Sequence, residues 1–313
     1  MQSPSTIGKS RSLVTGADGH DRTDGVGRRR LLLSALSLLT AGPVPASVSG
    51  TKTLLDTSAL PMGNITAYTA GFADFRREAA MDPDRALLSV AETAALTATG
   101  EVRLAEGASF LREEEELAWV ARYFAAQLAA GAPFDHRDGG GRHPADRIAL
   151  LHRRLVGVNA ENLYTSSAFD PDRAAAGGRL ALDNLMQSPS HRENILDPRW
   201  THAGFGAALG RDGFVLVQLF VERAALLMAD MPVKVPGGAP LPAGCQQASD
   251  GGFSGLALVP VDRQVAAGDF QRPGSARAPA SRGLHRGYFA RAGERTERTA
   301  TFTIHPGPML LVE

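Results

Sequence analysis

The sequence predicts an α+β protein: an α-β-α sandwich, with an antiparallel sheet between helix layers, followed by a small β-rich C-terminal module. Three observations predict it. Residues 64 to about 228 carry successive helical patterns that end in two strands. The second strand, Phe214-Val215-Leu216-Val217-Gln218-Leu219-Phe220-Val221, is apolar on both alternating faces except at Gln218. Such a strand fits a sheet covered on both sides. Beyond Met228 the texture changes: nine of the 19 prolines fall between Pro232 and Pro308, and short strand patterns replace helical ones.

Composition bounds the function classes. At 43% hydrophobic and 21% charged residues, the 313-residue chain is globular rather than mainly disordered. Lys+Arg and Asp+Glu are both 33, so no net field recruits nucleic acid or an anionic membrane. The single cysteine, Cys245, forms neither an internal disulfide nor a CxxC metal site. Arg28-Arg29-Arg30 precedes an apolar run of 11 residues from Leu31 to Ala41, and Val44-Pro45-Ala46 follows as a small-residue cleavage pattern. A run that short does not cross a bilayer of about 30 Å. It reads as a secretory signal peptide over residues 1–46, fitting either the twin-arginine or the ordinary route. Without it the chain is mildly acidic, with 27 basic against 30 acidic residues. The expected organisation is therefore a leader (1–46), a linker (47–81), a main domain (82–228), and a linker plus small β module (229–313). The expected location is secreted or periplasmic, with no transmembrane segment in the mature protein.

Within the main domain, Asp82-Pro83-Asp84 opens a helical run through about Leu96, with Pro83 at the first helical position. Phe110 to Ala130 is a second helix, with Leu117, Val120, Tyr123, Phe124 and Leu128 at helical spacing behind the acidic start Glu113 to Glu116. Pro144 to Leu155 is a third, whose end at His152-Arg153-Arg154 reads as exposed. Pro171 to about Gln187 is a fourth, weakened by Gly177-Gly178. Two strands follow, Thr201 to Leu209 and Phe214 to Glu222, joined by Gly210-Arg211-Asp212-Gly213, whose Asp-Gly is a hairpin signal. In the tail, Leu256 to Val261, Gly287 to Ala290 and Thr299 to Ile304 read as short strands, the last two as a hairpin. Residues 263–284 read as a mobile loop.

Four short pieces occur in order: Phe134-Asp135-His136; Ala160-Glu161-Asn162-Leu163; Ser188-Pro189-Ser190-His191-Arg192-Glu193-Asn194-Ile195-Leu196; and Gly204-Phe205-Gly206-Ala207. His136 and Glu161 are 25 residues apart, and Glu161 and His191 are 30. Across about residues 82 to 222 this order resembles the CAP superfamily (SCP-like; cysteine-rich secretory, antigen 5 and pathogenesis-related 1 proteins) in its cysteine-poor bacterial form. The resemblance implies two histidines and two acids around a cavity on one face of an α-β-α sandwich. Carried over by position, His136 matches the first histidine, Glu161 the acid of the Glu-Asn motif, and His191 the second histidine. The fourth position falls near Ser188, where glutamate is absent. Further departures are Leu185 in place of a tryptophan, and Ala160 and Ser190 in place of glycines.

These residue types suit three kinds of work. Two neutral imidazoles and a carboxylate, His136, His191 and Glu161, could give zinc or another divalent metal three ligands and an open position. Without metal, Glu161 could orient a histidine as general base or stabilise its charged form. Equally, the three could be a hydrogen-bonded cluster retained for structure, since an unpartnered buried polar group costs about 1–3 kcal/mol. His143 and His202 are further candidates for the cleft lining. Ser190-x-x-Glu193 reads as a capping box opening a short helix. Cys245 has no adjacent histidine and is not a nucleophile candidate. The leading expectation is an exported CAP-domain protein whose cleft binds a ligand or divalent metal without established turnover. The resemblance implies a small or lipid-like ligand, since some members bind sterols or fatty acids. The alternatives are a metal- or base-dependent hydrolase or peptidase using the same cleft, and a protein that docks a cell-envelope component through its tail.

Overall fold

The computed structural model describes residues 33–34, 64–249, 252–295 and 299–313. The expected leader and the start of the expected linker lie outside these residues, apart from strand β1 (Leu33–Ser34).

Helix α1 (Ile65–Ala79) occupies most of the stretch expected to be a linker, and the linker reading is corrected there. Ile65, Tyr68, Phe72, Phe75 and Ala79 recur at steps of three and four, one helical face, and the first three and Ala79 are buried. Asn64 caps the start, its Oδ1 accepting from the Ala67 N–H at 3.1 Å. Helix α2 (Arg85–Ala105) follows the Asp82-Pro83-Asp84 start and runs two turns beyond the expected end. Strand β2 (Arg112–Glu113) replaces the expected first turn of the next helix, because its backbone pairs in parallel with His202–Ala203. Helix α3 (Glu115–Ala129) then begins on the acidic pair Glu115 and Glu116.

Helix α4 (Pro144–Leu151) ends earlier than its apolar pattern suggests, since strand β3 (Leu155–Ser166) begins at once. This strand carries Glu161 and Asn162. A 3-10 turn at Pro171–Arg173 leads into α5 (Ala174–Met186), where Gly178 is required: a side chain there would collide with the Ala91 carbonyl of α2. Helix α6 (Pro189–Leu196) has Ser188 at its N-cap and Pro189 at its first position. Ser190 therefore lies inside the first turn, and the capping box expected from Ser190 and Glu193 does not form.

Strands β4 (His202–Gly210) and β5 (Gly213–Leu226) make the expected hairpin, with Gly210 paired to Gly213 across the two-residue turn Arg211-Asp212. Gly213 adopts φ +121°, which only glycine takes without strain. The four-stranded sheet has order β2-β4-β5-β3, antiparallel except for β2.

Both faces of the sheet are covered. Val215, Val217, Leu219 and Val221 of β5 join the core beneath α1, α3 and α4, while Phe214, Leu216 and Phe220 join the core beneath α2, α5 and α6. Helix α3 lies directly on β4, where side chains at Gly204, Gly206 and Gly210 would meet its backbone at Ala118, Arg122 and Ala129. The Gly204-Phe205-Gly206 motif is thus a helix-docking surface whose intervening Phe205 fills the opposite core.

The C-terminal residues form β6 (Lys234–Val235), β7 (Gly255–Pro260), β8 (Gly283–Arg295) and β9 (Thr299–Val312), in a second sheet of order β1-β9-β8-β7 with β6 beside β9. The β8–β9 hairpin is much longer than expected. The loop over 263–284 is tied down rather than mobile: Gln246 Oε1 accepts from the Gly274 and Ala276 N–H groups at 2.7 and 3.0 Å, and Ala276 and Ala278 are buried. A shared core joins Val156 and Ala225 of the first sheet to Leu256, Leu258, Phe289 and Leu310 of the second. Among the described residues no helix is long and apolar enough to cross a membrane.

Candidate functional site

The loop between α3 and α4 presents His136. Buried Asp138 organises it: Oδ1 accepts from the Gly140 and Arg142 N–H groups, each at 2.9 Å, and Oδ2 from Arg142 Nε at 2.7 Å. The Arg142 guanidinium also stacks on Tyr68 of α1, 3.6 Å from the ring centroid.

The site proper is a chain of three side chains from three elements. His136 Nδ1 donates to Glu161 Oε1 at 2.9 Å, and Arg147 Nη2 of α4 donates to Glu161 Oε2 at 2.5 Å. Arg147 Nη1 donates to the carbonyls of His136 and Arg142, both at 2.8 Å, and its guanidinium carbon lies 3.6 Å from the Phe124 ring centroid. The Glu161 and Arg147 side chains are each 1% exposed, whereas His136 is 51% exposed. The carboxylate is thus fully used inside, and its histidine partner opens to solvent. The hydrogen bond to Glu161 raises the His136 pKa above the usual imidazole value, against the opposing effect of burial.

On the other face of β3, the neighbouring residue builds a second polar network. Asn162 Nδ2 donates to the His191 carbonyl at 3.2 Å and to Gln218 Oε1 at 3.1 Å, and Asn162 Oδ1 accepts from Asn194 Nδ2 at 3.0 Å. Trp200 Nε1 donates to the Asn194 carbonyl at 2.8 Å. These bonds seat α6, and with it His191 and Ser188, against the edge strand β3. His191 is half-buried; burial lowers its pKa first, and the charge of His136 lowers it further, so the two imidazoles feel one another. Ser188 is buried at the α6 N-cap, its Oγ 3.5 Å from Ser190 Oγ. His136 and His191 thus lie near enough for their charges to interact, and Glu161 is bonded to His136.

Nothing in the four motifs marks Arg147; its only sequence signal is a charge beside the apolar run Ile148 to Leu151. Gln218, the exception in the apolar strand β5, accepts from Asn162 and forms part of its network. His143 caps α4. His202 is buried, its Nδ1 2.9 Å from Thr201 Oγ1.

A second cluster of the same three residue types lies elsewhere. His152, expected at an exposed helix end, is 2% exposed, its Nε2 3.5 Å from Glu114 Oε1, while Arg223 Nη1 donates to Glu114 Oε2 at 2.6 Å. The His152 imidazole and then Arg223 pull the Glu114 carboxyl down to about 2. Arg153 is half-buried, its guanidinium bonded to five backbone carbonyls.

The donor chemistry decides how a metal would fit. Both Glu161 oxygens are engaged, one by a guanidinium, so a cation would be held by His136 and His191, with Glu161 orienting the first ring from behind. Among the described residues no group of three or more His, Cys, Asp or Glu side chains is arranged to hold a metal ion.

Residues 96–220 match the family described as the Cysteine-rich secretory protein family, CAP. No curated protein matches the chain. Among solved structures, an extracellular protein containing an SCP domain from Bacillus anthracis is 20% identical, with 45% of this chain and 43% of that one covered and a TM-score of 0.37. An outer surface protein from Borrelia burgdorferi is 21% identical over 41% of this chain and 89% of that one, with a TM-score of 0.33. A cysteine-rich secretory protein from Staphylococcus aureus is 19% identical over 42% and 38%, with a TM-score of 0.30. This chain thus spans less than half the length of the Bacillus anthracis protein. Residues 96–220 of this chain are thus a CAP domain by the family match, and the assignment extends to that region alone.

Proposed function

We propose that the chain is an exported CAP-domain protein whose His136/His191 cleft binds a divalent cation such as zinc, or a small ligand that takes the same imidazoles, without turning it over. The observation that carries this reading is the division of labour around Glu161: the carboxylate is held between Arg147 and His136, and His136 alone opens to solvent. A histidine whose Nδ1–H donates to a carboxylate has its tautomer fixed and its Nε2 left as a ligand lone pair. Zinc would supply a Lewis-acidic centre there, with water completing a two-imidazole set. Glu161, with both oxygens engaged, works here as a holder rather than a proton shuttle, which favours binding over hydrolysis. Export rests on the arginine-flanked apolar leader and its small-residue cleavage pattern.

Calorimetric titration of the protein with zinc, alongside His136→Ala, tests this. The expected result is binding in the parent chain and its loss in the variant; equal heats in the two remove the metal reading. Binding is also expected to weaken as pH falls, since both imidazoles must be neutral. For His136, whose pKa is raised, proton competition begins above the usual value of about 6.5.

A further inference from the structure

The segment C-terminal to the matched family region is built into the support of the site. Helix α4 is two turns long, too short to hold its shape unaided, yet it carries Arg147, the residue that fixes Glu161 and the His136 backbone. Its two ends are held largely from residues 229–313. At the start, Asp146 Oδ2 accepts from the His143 N–H at 3.0 Å, closing the first turn, while Asp146 Oδ1 accepts from Arg286 Nη2 of β8 at 2.6 Å. At the end, Arg153 donates back to the Ala149 and Leu150 carbonyls and forward to those of Met231, Pro232 and Met309, the last at 2.6 Å. Met309 also packs into the core beneath α4.

We propose that Arg286 is a positioning residue for the His136 site, acting through Asp146 and α4 to hold Arg147 against Glu161. The Arg286 and Asp146 side chains are 14% and 19% exposed, so their bond is shielded and orients rather than decorates. Asp146 and Arg147 are adjacent on the helix; a shift of its first turn when Asp146 loses Arg286 carries the Arg147 guanidinium with it. The loop His136–Arg142 then loses two of its backbone anchors together. The significance of this coupling for ligand binding rests on the proposed function, but the coupling itself is independent of any ligand.

Hydrogen–deuterium exchange by mass spectrometry on the full chain tests it, comparing the parent protein, Arg286→Leu and Arg286→Lys, with no metal present. The expected result is faster exchange confined to residues 136–147, by about tenfold for loss of one charge-assisted hydrogen bond, with partial restoration in Arg286→Lys. Strand β5 serves as the internal reference. A uniform rise over β5 and 136–147 would mean that Arg286 contributes only general stability, and it overturns the proposal, as does no change at 136–147. Should Arg286→Leu fail to fold, Asp146→Asn keeps the helix cap through its single amide oxygen and turns an NH2 toward Arg286, so the same bond is lost and the same local pattern is expected. Absence of zinc binding in the parent protein would remove the metal reading while leaving this result to stand or fall by itself.

Discussion

Two clusters in this protein are made of the same three residue types, and they differ in which member meets water. In His136–Glu161–Arg147 the acid and the guanidinium are buried and the imidazole is half open. In His152–Glu114–Arg223 the imidazole is the buried member, and the acid and arginine lie nearer the surface. The first arrangement leaves a ring nitrogen to offer; the second closes it inside, where it shapes the charge of Glu114 and the packing at the end of α4. Residue identity therefore does not mark the site. The burial order within each triad separates the two clusters, and it follows from where the backbone puts each residue: His136 on a loop, His152 at the C-cap of α4.

The comparison can be broken at its extremes. Deleting residues 229–313 exposes Val156 and Ala225 and strips Arg153 of three carbonyl partners. We expect loss of cooperative unfolding in a circular dichroism melt; a sharp transition near the parent midpoint would show that the first sheet stands alone. Arg147→Leu leaves the Glu161 carboxylate buried with only His136 beside it, and should cost about 3–5 kcal/mol in urea denaturation. A cost below about 1 kcal/mol there would mean that Glu161 is not held by charge.

Single histidine replacements sharpen the contrast. His152→Ala should cost about 2 kcal/mol, as a buried polar residue removed from packing, and should leave zinc binding intact. His136→Ala should cost at most about 1 kcal/mol, its partner bond being half exposed, yet abolish zinc binding. The reverse assignment of stability and binding would undo the distinction drawn between the clusters.

Smaller still is the pH effect, which has opposite signs at the two site histidines. His136 has a raised pKa, so its contribution to stability is present below about 6.5 and is lost as pH rises through the raised value. His191 has a lowered pKa, so folding favours its neutral ring; that contribution is complete above about 6.5 and is lost as pH falls through the lowered value. Glu114 adds stability that is present above the free glutamate value of about 4.3 and is lost as pH falls toward about 2. Histidine-ring NMR titration should place His136 above His191, and the opposite order contradicts the Glu161 hydrogen bond.

Much of the sandwich was legible because its signals are local. The apolar faces of β5, the glycine-punctuated β4 and the proline-started helices can be read within a window of a few residues. Three things were not local. Helix α1 falls in the stretch expected to be a linker, although Ile65, Tyr68, Phe72 and Phe75 have helical spacing. Strand β3 carries Glu161 on one face and Asn162 on the other, so its sequence alternates between two polar networks instead of polar against apolar. Arg147 and Arg286 act through contacts with residues distant in the chain, which no spacing rule discloses. The motif histidines and Glu161 were found by order and spacing; the arginine that makes sense of the glutamate was not.

The most direct test of the central claim, that His136 and His191 share one ligand-facing hollow with Glu161 held behind, is a crystal structure of the zinc-soaked protein with anomalous data at the zinc edge. The account predicts one peak about 2.0–2.1 Å from a ring nitrogen of each histidine, with Glu161 still bonded to Arg147. A peak at neither histidine, or His136 and His191 turned to separate surfaces, would contradict it.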